Sequence, residues 1–369
     1  MVKRLLILNG VAIVAAVLYH TTGWGFTALF WWTDRYLPVP VPNFEQLGGT
    51  VYYVLRFLEQ LVIFAIPAFL FVSGYFVAVA AGRTQKTVSW KLIRSRIINL
   101  AIPFVLWSVL ILAAKILEGE SYTPGEFLTT VVLGRTEAPF YFVPVLIQLY
   151  LISPFLVPLA RKHWVWLLVV TFIVQSAVVL MRYDMVLSLD LPWLTPFHFL
   201  NWNFLIFGNI FWFTSGMVVG FHLDVIKPAL IRLRWLLLAA MLIFFSLGLW
   251  EWERLLEASG QGWIGARETW IDNLYSMAVL GAFIAFERVK IPLANQLSVL
   301  GARSFGVYLV HSPVLSYSAR LIYHFAPALL GIQALFLPIL FALGLGVPLI
   351  LMGMVNRSPL RKYYGYIFG

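Results

Sequence analysis

Residues 5–30 read LLILNGVAIVAAVLYHTTGWGFTALF, a stretch without one formal charge. A helix needs roughly 20 predominantly apolar residues to cross the hydrocarbon core of a bilayer, so this stretch predicts a transmembrane helix. Its apolar residues run continuously instead of alternating, which excludes a strand of a membrane β-barrel. Lys3 and Arg4 ahead of it resemble the basic start of a signal peptide. The run is longer than an apolar signal core of roughly 7–15 residues and no small-residue cleavage site closes it, so it reads as a retained span. One ionisable side chain sits inside it, His20. At roughly 1.5 Å per residue, His20 lies about 22 Å beyond Leu5, in the half of the membrane far from the N-terminus. An ionisable group held there costs a few kcal/mol, and imidazole is the side chain best suited to exchanging a proton near neutral pH. Two roles fit: a proton-transfer group, or a histidine hydrogen-bonded between helices.

The rest of the chain has the same character. Its 369 residues are 61% hydrophobic and 11% charged, with a mean hydropathy of +0.88. This is the composition of an all-α, polytopic integral membrane protein with about ten transmembrane helices. The expected spans are 5–30, 52–81, 97–117, 139–160, 164–181, 202–222, 235–251, 271–287, 304–325 and 332–355. No internal repeat with a constant period appears and no linker sets off a soluble part, so residues 1–369 read as one membrane-embedded domain. The chain has no cysteine, which removes disulfides and thiol nucleophiles.

Charge sets the expected orientation. With the N-terminus cytoplasmic, the inner segments hold Lys3, Arg4, Arg83, Lys86, Lys91, Arg94, Arg96, Arg161, Lys162, Lys227, Arg232, Arg234, Arg288, Lys290, Arg303, Arg357, Arg361 and Lys362. That is 18 of the 26 basic residues, accompanied only by Asp224 and Glu287 of the 16 acidic ones. This asymmetry follows the positive-inside rule, with both termini in the cytoplasm of a multi-pass inner (plasma) membrane protein. Such a face meets anionic lipid heads, and it also attracts a polyphosphorylated cytosolic ligand. The cluster Lys91, Arg94, Arg96 stands out because it runs directly into the third span. Nucleic acid is not expected as a partner.

Other residues are candidates for chemistry beside His20. Span two enters from outside and carries Arg56 and Glu59, with Glu59 at a depth close to that of His20. A carboxylate there would orient the imidazole and raise its basicity, as in hydrolytic triads. Alternatively Arg56 and Glu59, three apart on one helix face, pair with each other. His311 is the second intramembrane histidine, followed by Pro313, which frees a backbone carbonyl. Trp24, four residues after His20, would share its helix face and offer a ring for stacking. No histidine pair has metal-ligand spacing, and no metal is expected.

Several segments line up in order: VAIVAAVLYH at 11–20, IPAFLFVSGYFVA at 66–78, RSRIINLAIPFVLW at 94–107, FYFVPVLIQLYLISP at 140–154 and ARSFGVYLVHSPVL at 302–315. Together they resemble the acyltransferase-3 family of integral membrane acyltransferases, nearest to its fucose-O-acetylase-like and intercellular-adhesin-type branch. The resemblance implies transfer of an acyl group, usually acetyl, from cytosolic acetyl-CoA or another acyl-CoA to a hydroxyl of an extracytoplasmic glycan or lipid-linked sugar. It implies His20 as the catalytic residue and Arg96, with Arg94 and Lys91 near it, as donor-binding. Two positions depart from the family pattern. Asn9, eleven residues before His20, and Asn99, four before Pro103, stand where basic residues are common. Other readings of the same chain are a glycan or lipid transporter or flippase, and a non-catalytic partner of an envelope-polysaccharide complex. The transporter reading lacks the paired inverted repeats that would support it.

Overall fold

The computed structural model describes residues 1–82, 85–265 and 268–369, so Arg83 of the basic inner set lies outside the described residues. Among the described residues the fold is entirely helical. Fifteen α-helices follow in order: α1 Val2–Phe26, α2 Thr50–Val62, α3 Ala65–Ala81, α4 Trp90–Leu117, α5 Pro124–Val132, α6 Phe142–Lys162, α7 Trp164–Leu187, α8 Ile210–Phe221, α9 Leu223–Arg232, α10 Arg234–Ser259, α11 Trp270–Ala285, α12 Ala294–Ala302, α13 Ser304–Phe325, α14 Gln333–Arg357 and α15 Tyr364–Phe368.

Among the described residues, seven helical segments are long and apolar enough to cross a membrane, and eight if the bent pair α8–α9 counts as one. They include α1 with its following wide turn, α2 with α3, α4, α6, α7, α10 and α14. The other two expected spans correspond to α11 and α13. Two boundaries moved with consequence. α4 begins at Trp90, seven residues before the expected start, so Lys91, Arg94 and Arg96 all ride on one helix. The expected span 202–222 is not one helix: only Ile210–Phe221 is α-helical, and the chain turns by 103° before α9. Asn203, Gly208 and Asn209 crowd the first half of that stretch, with Asn201 just ahead of it, and such residues favour local turns over continued helix.

Span two is broken for a similar reason. Pro67 has no N–H to offer the carbonyl of Ile63 four residues back, and the helix opens at Ile63–Phe64. The Tyr275 hydroxyl donates to the exposed Leu61 carbonyl at 3.0 Å, so α11 takes over a bond the helix loses. Farther along α2, Gln60 donates to Asp272 at 2.8 Å and Tyr52 donates to Glu253 at 2.6 Å. These contacts bind α2 to α10 and α11.

Glycine sets the closest helix approaches. A Cβ on Gly74 of α3 would lie 1.9 Å from the Phe213 carbonyl oxygen, and one on Gly216 of α8 would lie 1.8 Å from that of Phe71. The backbones of α3 and α8 therefore touch. In lipid, where apolar burial between helices brings little, such close packing is a main source of association. Gly10 of α1 does the same against Leu297 of α12. Arg4 then donates to the carbonyls of Phe283, Phe286 and Glu287, satisfying the open end of α11. Through these contacts α1 is fixed at the basic end of the bundle, which in turn fixes His20.

Candidate active site

His20 stands on α1 with Ala16 and Tyr19 beside it, six residues before the helix ends at Phe26. Facing them are Ile63 and Ile66 from the α2–α3 break, Pro139 and Tyr141 from the turn ahead of α6, Arg182 of α7, and Asn209. They enclose a cavity of about 480 Å³, within the roughly 300–1,000 Å³ of small-molecule sites. A second cleft of about 600 Å³ shares Ala138, Tyr141, Met185, Asn201 and Asn203 with it. Arg135, His198 and Trp202 line this outer cleft, so it leads from His20 toward the loops opposite the basic end.

The turn 138–141 is held from two sides. Tyr308 donates its hydroxyl to the Pro139 carbonyl, and Ser312 donates to Glu137 at 2.7 Å. Lys115 of α4 reaches the Thr136 carbonyl at 2.7 Å and Glu137 at 3.5 Å. α13 and α4 thereby place Pro139 and Tyr141 at the cavity wall.

Behind His20 is His311. The two rings lie 5.3 Å apart between centroids and are tilted by 47°. His311 is wholly buried. Its Nδ1 lies 2.7 Å from the Tyr308 carbonyl oxygen and 3.3 Å from that of Val307. Carbonyls only accept, so Nδ1 carries the proton and Nε2 is a lone pair. That Nε2 has no hydrogen-bond partner among the described residues. His20 itself is half-buried, with the edge of Tyr19 against it at 5.4 Å. The arrangement offers the cavity one accessible imidazole, backed by a second whose free lone pair is close at hand.

A family model for an acyltransferase domain, that of the acyltransferase-3 family, matches residues 5–353. The chain belongs to this family. No curated protein and no solved structure gives a significant match to it. The match spans every element that forms the cavity, so His20 lies inside the domain of a membrane acyltransferase.

The remaining expected residues of this acyltransferase fall in three places. Glu59 and Arg56 are hydrogen-bonded to each other and buried, with the Arg56 guanidinium 3.7 Å over the Trp252 ring. Among the described residues no hydrogen bond joins Glu59 to His20, so the expected orienting contact is not made. The reason is proximity: a buried guanidinium one turn away on the same helix face needs a counter-charge. This cluster shares Ile63 with the His20 cavity, so it lies directly behind the wall. Trp24 packs on Trp32 with centroids 5.3 Å apart and joins an aromatic cluster outside the cavity.

At the basic end, Arg96 is half-buried, donating to the Phe76 carbonyl at 3.3 Å and to the Tyr150 hydroxyl at 3.4 Å. Lys91 and Arg94 are exposed on the same helix. The side-chain oxygen of Asn9 is buried and has no hydrogen-bond partner among the described residues. Asn9 precedes His20 by eleven residues, about three helical turns and roughly 16 Å, which puts both on one face of α1. Among the described residues no cluster of three or more metal-ligating side chains occurs.

Reading the sequence for isolated motifs missed the polar wall made by Tyr141, Arg182, Asn201, Asn203, Asn209 and Glu268. The signal was present: three asparagines within nine residues, two of them inside the expected span 202–222, are costly there without a polar cavity to face.

Proposed function

We propose that this chain is a membrane O-acyltransferase that moves an acyl group, acetyl in the simplest case, from a cytosolic acyl-CoA to a hydroxyl of a glycan or lipid-linked sugar outside the cell membrane. The excess of basic residues on one side supports cytoplasmic termini, so in this reading the basic end faces the donor and the outer cleft faces the acceptor. The observation that carries the reading is His20 at the wall of a cavity open toward the outer cleft, with Asn9 three turns below it on the same helix face. Coenzyme A is too polar to enter lipid, so its phosphates stay at the basic end, near Lys91, Arg94 and Arg96. The pantetheine arm then follows the face of α1 from Asn9 and delivers the thioester carbonyl to His20.

In the transfer step the acceptor hydroxyl oxygen attacks the thioester carbonyl carbon. A C–O bond forms, the C–S bond breaks, and His20 takes the hydroxyl proton. The leaving thiolate receives that proton from His20, so the histidine ends as it began. A positioned general base contributes typically about 10²–10⁴-fold. His20→Ala protein in lipid nanodiscs is therefore expected to lose at least about a hundredfold in transfer of radiolabelled acetyl from acetyl-CoA, with unchanged thermal stability. Near-normal turnover of the folded variant would refute the assignment.

A further inference from the structure

The end of the cavity away from the histidine pair is rich in amides, and its one strong cation is already spent. Arg182 donates to Glu268 at 2.8 Å and to Asn201 at 2.9 Å. Gly208 packs directly on the same guanidinium: a Cβ there would lie 2.9 Å from Nη2. Three separate segments (α7, the strip before α8, and the stretch before α11) thus meet at one neutralised ion pair. Among the described residues that line the cavity, Arg182 and Glu268 are the only acidic or strongly basic side chains.

Asn209 lies beside them. It is 4% exposed, lines the cavity, and its side-chain oxygen has no hydrogen-bond partner among the described residues. An unpartnered buried acceptor is costly, and a ligand O–H in the cavity that Asn209 lines would relieve that cost. Asn203 is exposed on the lip shared by the cavity and the outer cleft. A ring bearing several hydroxyls satisfies this wall: one O–H donates to Asn209, others exchange hydrogen bonds with Asn203, and no net charge needs compensation. A carboxylate-bearing ring instead meets the Glu268 carboxylate, and the single positive charge of Arg182 cannot neutralise both.

We propose that Asn209, Asn203 and the neutralised Arg182–Glu268 pair seat the acceptor, and that Glu268 makes this seat select an uncharged hydroxylated ring over an anionic one. The inference rests on the acyl-transfer reading only in placing the reacting hydroxyl at His20. Glu268 acts through Arg182 and is a specificity-determining residue, not a catalytic one.

The test is binding without any acyl donor, using the full chain in nanodiscs and saturation-transfer NMR with methyl β-glucoside and methyl β-glucuronide. Wild type is expected to bind the glucoside and to bind the glucuronide at least about tenfold more weakly. Asn209→Leu should weaken the glucoside roughly three- to tenfold, the worth of one neutral hydrogen bond. Glu268→Gln frees Arg182 and should strengthen the glucuronide by about tenfold, while the glucoside shifts by less than about threefold. Equal binding of both rings to wild type, binding of neither, or an unchanged ratio in folded Glu268→Gln overturns the proposal. If Glu268→Gln fails to fold, Asn209→Leu decides, since it removes an amide whose oxygen makes no bond. Because no donor is present, a protein that sorts the rings as expected yet transfers no acyl group would refute the catalytic reading and sustain the subsite.

Discussion

Replacing His311 by phenylalanine tests how the two histidines are coupled. The substitution keeps an aromatic ring of similar size in a fully buried position, and it removes the lone pair of Nε2. With Nδ1 committed to the Tyr308 carbonyl at 2.7 Å, Nε2 can only accept. His20 is the nearest imidazole, with ring centroids 5.3 Å apart. An N–H···N contact of about 3 Å is within reach of a small rotation of the half-buried His20 ring. Once made, that contact would fix which His20 nitrogen carries the proton and leave the other free to face the cavity as base. When His20 becomes imidazolium, the contact turns from a neutral hydrogen bond into a charge-assisted one. Such bonds are worth about 1.5–3 kcal/mol against about 0.5–1.5 for neutral ones. The difference, about 1–2 kcal/mol, appears in the transition state and corresponds to a loss of roughly five- to thirtyfold in kcat. The KM for acyl-CoA is expected to stay within about threefold, because no donor contact is removed. The assay is initial-rate kinetics in nanodiscs at saturating acceptor, with thermal unfolding measured in parallel. Full kcat in a folded His311→Phe protein would show that His311 only packs. Loss equal to that of His20→Ala would make His311 a catalytic residue in its own right.

The buried pair on α2 predicts a different signature. Glu59→Ala leaves Arg56 unpaired under Trp252 and should cost about 3–5 kcal/mol of stability, read by denaturant unfolding, with kcat of the folded fraction retained; normal stability with lost turnover would return Glu59 to the chemistry. At the basic end, Arg94→Ala should weaken acyl-CoA binding roughly 10- to 150-fold, more at low salt than at high salt, with acceptor KM unchanged. Unchanged donor affinity would leave Arg94 only a role in orienting the chain.

Most helices were legible because the spans are apolar without interruption, and lipid leaves the backbone few alternatives to a helix. The exceptions share one cause. Span two breaks at Ile63–Phe64 because Pro67 lacks the N–H that Ile63 needs. Tyr275, which satisfies the neighbouring Leu61 carbonyl, is 214 residues away in sequence and no window along the chain connects them. Span six fails over Asn201–Asn209, where hydropathy averaged over about 19 residues hides local polarity behind Phe204, Leu205, Ile206 and Phe207. Both interruptions face the same cavity, supplying Ile63 on one side and Asn209 on the other.

That coincidence explains why the site was only half readable. His20 was visible because a lone imidazole in an apolar helix is costly wherever that helix packs. Its partner was not, because Glu59 at matching depth and His311 in span nine satisfy the same sequence-level argument. Distance decides between them: Arg56 on the same helix captures Glu59 through local geometry, whereas His311 reaches His20 only through the packing of α13 on α1. The asparagines went unread for the opposite reason. Each alone looks like a tolerated polar residue near a span end, and their expense appears only when Arg182 from α7 and Glu268 from before α11 close the same wall. Within a bilayer, broken helices are tolerated where they are buried in protein or line a cavity. In this chain the broken helices, more than any short motif, mark where a hydroxylated substrate would meet the histidine.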